Sequence, residues 1–266
     1  MFKYLASAIC AVLLIPAPVE AAPKLASHSA VYKLTLAETR DRSVIYDLVG
    51  QMAVSTDINC GGLVFEQRLI MEFTDESGNS FVNDFQISTW EALDGLRYRF
   101  SHVDRIDNEV VKRMSGKASV RERAGGKAVF KEPDEKTVHL APGILFPTAH
   151  LIAILEAAME GELLHSTMIF DETSETPVME AASIIGKPQD QGKMFKSEVV
   201  NDMRIWPVDV AFFDVDKLDG LPDYQVSFQL YENGVAGNML MNFGEFSVRA
   251  ELIELRPGNV DHCAEN

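Results

Sequence analysis

Apolar and polar side chains alternate with a period of two along most of this chain, the spacing that turns one face of a strand to a core and the other to water. In "QVSFQLYENGVAGNMLMNF", Val226, Phe228 and Leu230 take one face while Gln225, Ser227 and Gln229 take the other. Asn233 and Gly234 follow, a pair suited to the two left-handed positions of a type I′ hairpin turn. The stretch "EFSVRAELIEL" repeats the rule with Phe246, Val248, Ala250 and Leu252, until Ile253 and Leu255 shift the phase. That slip predicts a bulge or a bend. Near the start, "SHSAVYKLTLA" sets Tyr32, Leu34 and Leu36 against Val31, Lys33 and Thr35.

Ten more stretches read as strands: "VIYDLVGQMAV", "LVFEQRLIMEFT", "SFVNDFQISTWEA", "LRYRFSHVD", "EVVKRMSGKASVRE", "GKAVFKE", "KTVHLA", "HSTMIFDE", "VMEAASIIG" and "DMRIWPVDVAFF". Short polar turns such as "DESGN", "ALDG", "RAGG" and "PDEK" separate them, which predicts an antiparallel meander rather than βαβ units. One helix interrupts the pattern. In "FPTAHLIAILEAAMEGE", Thr148 is the expected N-cap and Gly161 the expected C′ residue, with Leu151, Ile154, Leu155, Ala158 and Met159 as a helical stripe. Such a stripe is core packing, and it predicts a helix filling the concave side of a curled sheet. No repeat, low-complexity tract or linker divides the chain, so residues 22–266 are expected to form a single domain.

Residues 1–21 break the strand pattern differently. Lys3 precedes an apolar run from Leu5 to Ile15, then Pro16 and Pro18, with Val19 and Ala21 at the −3 and −1 positions of a cleavage site. This is the layout of a secretory signal peptide. The run is shorter than the roughly 20 residues a bilayer-spanning helix needs. Cys10 lies inside the run, so it leaves with the signal and is not a lipid-modified terminus. Two cysteines then remain, Cys60 in "TDINCGGLVFEQ" and Cys263 in "NVDHCAEN". An even pair in an oxidising compartment reads as a disulfide. The competing reading is two free or metal-binding thiols, but no CxxC, Cys/His cluster or HExxH accompanies either. Gly61 and Gly62 read as backbone freedom beside the bridge.

Charge narrows the partners. Lys and Arg total 24 against 40 Asp and Glu, a net charge of −16. Such a chain repels phosphate backbones, which argues against nucleic acid and makes it a poor adherent to anionic headgroups unaided.

Candidate chemistry is sparse. His28 and His102 lie in strand-like stretches, His139 in "KTVHLAPG", His150 and His165 flank the helix, and His262 precedes Cys263. None is spaced from another ligand as a metalloenzyme motif requires, so structural or solvated roles are expected. The acidic "DVDKLDGLPDY" fails as a calcium loop: counting from Asp214, position 5 is Leu218, position 6 is Asp219 and position 12 is Gln225, where an EF-hand needs an oxygen ligand, Gly and Glu. It reads as a solvated turn. No GxSxG elbow is present, and a disulfide would remove Cys60 as a nucleophile. No catalytic, cofactor-binding or metal-ligating residue is assigned.

Several segments resemble the cell-envelope integrity EipB-like family, periplasmic β-spiral proteins of alphaproteobacteria. They are "HSAVYKLTL", "FPTAHLIAILEAAMEGE" followed by "MIFDET", "RIWPVDVAFFD", and "LPDYQVSFQLYENGVAGNMLMNFGEFSVRAELIEL", in that order over nearly the whole mature chain. The resemblance implies a mainly β fold, a single long antiparallel sheet coiled into a β-spiral or open barrel with one main helix packed against it. It maps the family's paired cysteines onto Cys60 and Cys263. It also implies a non-enzymatic periplasmic factor without cofactor, supporting envelope integrity and stress resistance as a binding scaffold. The expected partner is another envelope protein or a lipid component. Two alternatives are a carrier of lipid or lipoprotein in the concave face, and an envelope hydrolase.

Overall fold

The computed structural model describes residues 23–259, apart from 41–42, 122, 175, 191–194, 196 and 218–219. The stretch read as a signal peptide, together with Cys10, His262 and Cys263, lies outside the described residues, as do Leu218 and Asp219 of the acidic turn.

The first half of the chain is an eight-strand meander: β1 (His28–Thr39), β2 (Ile45–Asn59), β3 (Gly62–Asp75), β4 (Ser80–Glu91), β5 (Arg97–Ile106), β6 (Glu109–Arg121), β7 (Gly125–Glu132) and β8 (Lys136–Leu140). Helix α1 (Pro147–Glu160) follows. The second half holds β9 (Leu164–Phe170), β10 (Val178–Ile185), the two-residue β11 (Gln189–Asp190), β12 (Arg204–Asp214), β13 (Tyr224–Tyr231), β14 (Ala236–Asn242) and β15 (Phe246–Pro257). Every predicted strand is present, and β11 is an addition too short for periodicity to register.

All strands belong to one antiparallel sheet, in which β8 to β1 run in order, β15 pairs with β1, and β14, β13, β12, β10 and β9 continue outward. The first and last strands are therefore neighbours in the middle of the ladder, with His28 opposite Pro257 and Leu34 opposite Ala250. The two outer strands, β8 and β9, are joined through α1. Between them Leu145 makes a parallel bridge to Ile169: Leu145 N–H donates to Met168 O at 2.9 Å and Phe170 N–H to Leu145 O at 2.9 Å. This seam brings the sheet's ends together as a nearly closed, barrel-like ring.

The alternation fixes which face is inside. Tyr32 pairs with Met52, Met52 with Leu69 and Leu69 with Phe85, so one row of side chains points inward across four strands. Three apolar clusters line that interior. The first joins Tyr32, Leu34, Met52 and Phe73 to Val248 and Leu252. The second packs Ile154, Leu155, Ala157 and Ala158 of α1 against inward residues of β9, β10, β12 and β13, among them Met179, Trp206 and Leu230. The third lies at the seam, where Tyr98 stacks on Phe146 at 5.2 Å and Phe100 meets Phe130 edge-on at 5.1 Å. Gly116 of β6 makes that aromatic contact possible: a Cβ there would lie 2.5 Å from the Phe100 ring.

The phase slip near Ile253 is a β-bulge, since Val31 pairs with Glu254 and Tyr32 with Leu252, leaving Ile253 unpaired. The turn at Asn233 is not type I′. Only Gly234 has positive φ, 82°, and Tyr231 N–H donates to Val235 O while Gly234 N–H donates to Tyr231 O. That is the three-residue hairpin, with glycine at its left-handed position. The two-residue loop with both φ positive falls at Asp107 and Asn108, φ 51° and 67°, between β5 and β6. The helix ends as expected on Gly161 in the left-handed conformation. Its start differs: the N-cap is Phe146 and Thr148 lies within the first turn, because Pro147 opens the helix and a carboxylate from another strand caps it.

Candidate functional site

Cys60 and Gly61 form the tight turn between β2 and β3, where Asn59 pairs with Gly62. The Asn59 carboxamide oxygen accepts from Gly61 N–H at 2.9 Å and Gly62 N–H at 3.1 Å, which holds the turn closed. Neither glycine has a positive φ, so backbone freedom is not their role. Gly62 supplies room: a Cβ would lie 2.3 Å from Glu91 O and 2.7 Å from the Trp90 indole nitrogen. Cys60 is disulfide-bonded, while Cys263, assigned to it from sequence, lies outside the described residues. Ser27 gathers this end of the sheet. Its hydroxyl accepts from Ile58 N–H at 3.0 Å, and its carbonyl accepts from Gly258 N–H at 2.9 Å. The last described residues of the chain are thus anchored two strands from the Cys60 turn.

The titratable groups that sequence reading passed over sit at the seam. Glu91, on the inward phase of β4, accepts from Thr148 N–H at 2.8 Å and Ala149 N–H at 2.9 Å. A carboxylate against the positive end of α1 replaces a local cap. Burial still pushes its acid up to about 6, against the opposing effect of those two bonds. Glu172, almost wholly buried, accepts from the Tyr98 hydroxyl at 2.9 Å across the seam. Its burial, then the neighbouring Asp171 charge, raise its acid to about 8. Asp171 in turn accepts from the Tyr224 hydroxyl at 2.6 Å and from Thr173 N–H at 2.9 Å. The one legible signal was phase: Glu91 follows Phe85, Ile87 and Thr89 on an inward row, and Glu172 follows the buried pair Ile169 and Phe170.

The histidines are dispersed. His28 Nδ1 lies 2.8 Å from Ala26 O, and burial lowers its basicity. His102 is buried at 5.0 Å from the Phe85 ring, with its basicity lowered by the same cause. His139 is exposed on β8. His150 lies in the first turn of α1 rather than flanking it, buried and lowered to about 4. His165 faces Ser183 across β9 and β10. Among the described residues, no three His, Cys, Asp or Glu side chains gather as metal ligands. In the acidic turn Asp214 accepts from Thr176 and from Asp216 N–H, and Lys217 pairs with Asp223.

Two open troughs of about 550 Å³ each mark the outer face. One crosses β1 to β5 and is lined by small side chains including Ser29, Val31, Ala53, Ser55, Ser88 and Ser101. The other crosses β12 to β15, with Asp209, Gln229, Asn238, Arg249 and Glu251 on its walls.

A ring of antiparallel strands packed inside by a helix, with open troughs outside, places the protein among the barrel-like sheet proteins. The chain belongs to the EipB-like family, whose match spans residues 19–258. It is 32% identical over 243 residues to the cell envelope integrity protein EipB of Brucella abortus (strain 2308), covering 88% of this chain and 85% of that one. The crystal structure of a beta-barrel-like protein from Brucella abortus, a domain of unknown function, superposes with a TM-score of 0.83 at 30% identity, covering 90% of this chain and all of that one. No described helix is long and apolar enough to cross a membrane.

Proposed function

We propose that this protein supports the integrity of the cell envelope from the periplasm, as a binding scaffold rather than an enzyme. The observation that carries this reading is the kinship with an envelope integrity protein along nearly its full length. The packing supports the scaffold part. Side chains of three apolar clusters occupy the interior, so binding falls to the outer troughs and strand edges, and carriage of a lipid inside the ring is disfavoured.

The same proposal includes the Cys60–Cys263 disulfide. Pro257 and Thr56 both stand opposite His28, which puts the tail about 10 Å to the side of β2 at two strand spacings. Cys60 lies four residues beyond Thr56 and Cys263 six beyond Pro257. An extended segment of that length reaches roughly 20 Å, enough to span both offsets.

Deleting the gene in the organism that carries it, then challenging with detergent and cell-wall antibiotics, tests the function. Sensitisation reversed by the intact gene is expected. Unchanged growth under every envelope stress overturns the reading. Lipid co-purifying with protein extracted gently from cells, seen by native mass spectrometry, would favour the carrier instead.

A further inference from the structure

The net charge of −16 averages over two unlike parts. Residues 97–131 hold ten of the 24 Lys and Arg but only four of the 40 Asp and Glu, a local +6 against −22 for the remainder. The fold concentrates that excess on one surface. Tyr98, Phe100, Ala118, Val120 and Ala128 of β5 to β7 point into the core, so Arg97, Arg99, Arg113, Lys117, Arg121 and Lys127 point out, all exposed. Arg99 stands directly opposite Lys117, a like-charge pair that weakens a sheet. Among the described residues Arg99, Arg113, Lys117, Arg121 and Lys127 make no ion pair, and Arg97 has only the exposed Asp94 at 3.7 Å. Beside them Trp90 carries the Arg99 and Arg97 guanidinium groups over its ring at 5.1 and 5.8 Å.

A second feature adjoins this face. At the β5–β6 turn Val110 and Val111 are 49% and 54% exposed, and Ile106, Phe81 and Val82 beside them are also exposed. Val110 pairs with Arg105, and Val82 O accepts from Asp107 N–H, so the apolar lip is continuous with the cationic strands.

We propose that the outer face of β5 to β7, with the lip at the β5–β6 turn, docks the protein on a membrane surface rich in anionic phospholipid. Guanidinium groups match phosphate oxygens in charge and geometry, and exposed valines gain by entering the acyl boundary. The strongly acidic remainder is repelled by the same surface and orients the molecule with this face down. A soluble polyanion would satisfy the cations but leaves the lip without a role, which is why a bilayer is the assigned occupant. The proposal is independent of the scaffold reading, since vesicle binding and the deletion phenotype fail separately.

Sedimentation of the full chain with vesicles tests it. Binding is expected to mixed phosphatidylethanolamine and phosphatidylglycerol at low salt, falling as salt rises, with none to pure phosphatidylcholine. The double change Arg99→Ser/Lys117→Ser should weaken binding roughly 30-fold, from about 1 kcal/mol per cation near an anionic surface. Arg113→Ser/Lys127→Ser, on the same face, should do likewise, and both variants should keep the parent's circular dichroism spectrum and a cooperative thermal transition. Val110→Ser/Val111→Ser should weaken vesicle binding while leaving its salt dependence. No binding to phosphatidylglycerol vesicles, or binding indifferent to both cation pairs, overturns the proposal. Heparin binding that depends on the cations, alongside vesicle binding indifferent to the lip, replaces the membrane with a soluble polyanion and overturns it as well.

Discussion

Replacing Glu172 with glutamine should remove a contribution that lowers the parent's stability as pH rises from 6.5 to 8. Glu172 is buried and keeps its proton until about pH 8, whereas an unfolded chain releases it near pH 4.5. Across that interval the folded state binds more protons than the unfolded one, so stability falls as pH rises, by about 1.4 kcal/mol per unit. Other groups complicate the acid side. Glu91, raised to about 6, adds a loss that ends there. His150, lowered to about 4, acts with the opposite sign: the unfolded chain takes up its proton around pH 6.5, so that contribution grows with pH and levels off about one unit above it. His28 and His102, also lowered, act as His150 does. The histidine and Glu91 contributions are common to the parent and Glu172→Gln, so the difference between the two proteins isolates Glu172, and it falls by roughly 1.5 kcal/mol between pH 6.5 and 8 because the native acid is itself half ionised at about 8. For a chain of this size that is a change of about 3–6 °C in the difference between the two melting temperatures. Glutamine keeps an oxygen for the Tyr98 hydroxyl and has no proton to lose. Thermal unfolding followed by circular dichroism should show the parent's midpoint falling relative to that of Glu172→Gln as pH rises. Parallel curves for the two proteins would refute the assignment.

Cys60→Ser should lower the melting temperature under oxidising conditions and match the reduced parent, with a ceiling of about 5 kcal/mol for a loop of this length; equal melting of parent and variant with and without reductant counts against a stabilising bridge. Leu155→Ala empties a site at the centre of the helix-packed cluster and should cost about 2–5 kcal/mol in urea denaturation. Gly62→Ala forces a methyl against the Glu91 carbonyl and the Trp90 indole and should cost about 1–3 kcal/mol, seen as a lower urea midpoint at unchanged slope.

Strands were legible because each has one wet and one dry face. Even the bulge at Ile253 announced itself, since an extra residue must displace every later side chain to the other face. The turns were less so: Asn233-Gly234 suits two hairpin geometries, and the backbone bonds of Tyr231 to Val235 and Gly234 choose between them. The cap of α1 was hidden because its carboxylate comes from Glu91, far away in sequence. Glu172 was hidden for a related reason, since its partner Tyr98 lies on the far side of a seam that exists only once the ring has formed. The cationic face was visible as a local excess of Lys and Arg, but whole-chain charge averaged it away.

Pairing β1 with β15 sets an order of assembly. Residues as distant as His28 and Pro257 must meet before the ladder is continuous, so until the last strand arrives β1 keeps an unsatisfied row of amides and carbonyls along one side. A half-made chain is thus a sticky sheet, able to recruit a foreign strand in place of its own. Such a topology folds slowly for its size, and the open edge of the eight-strand half persists until the remainder of the chain has been delivered.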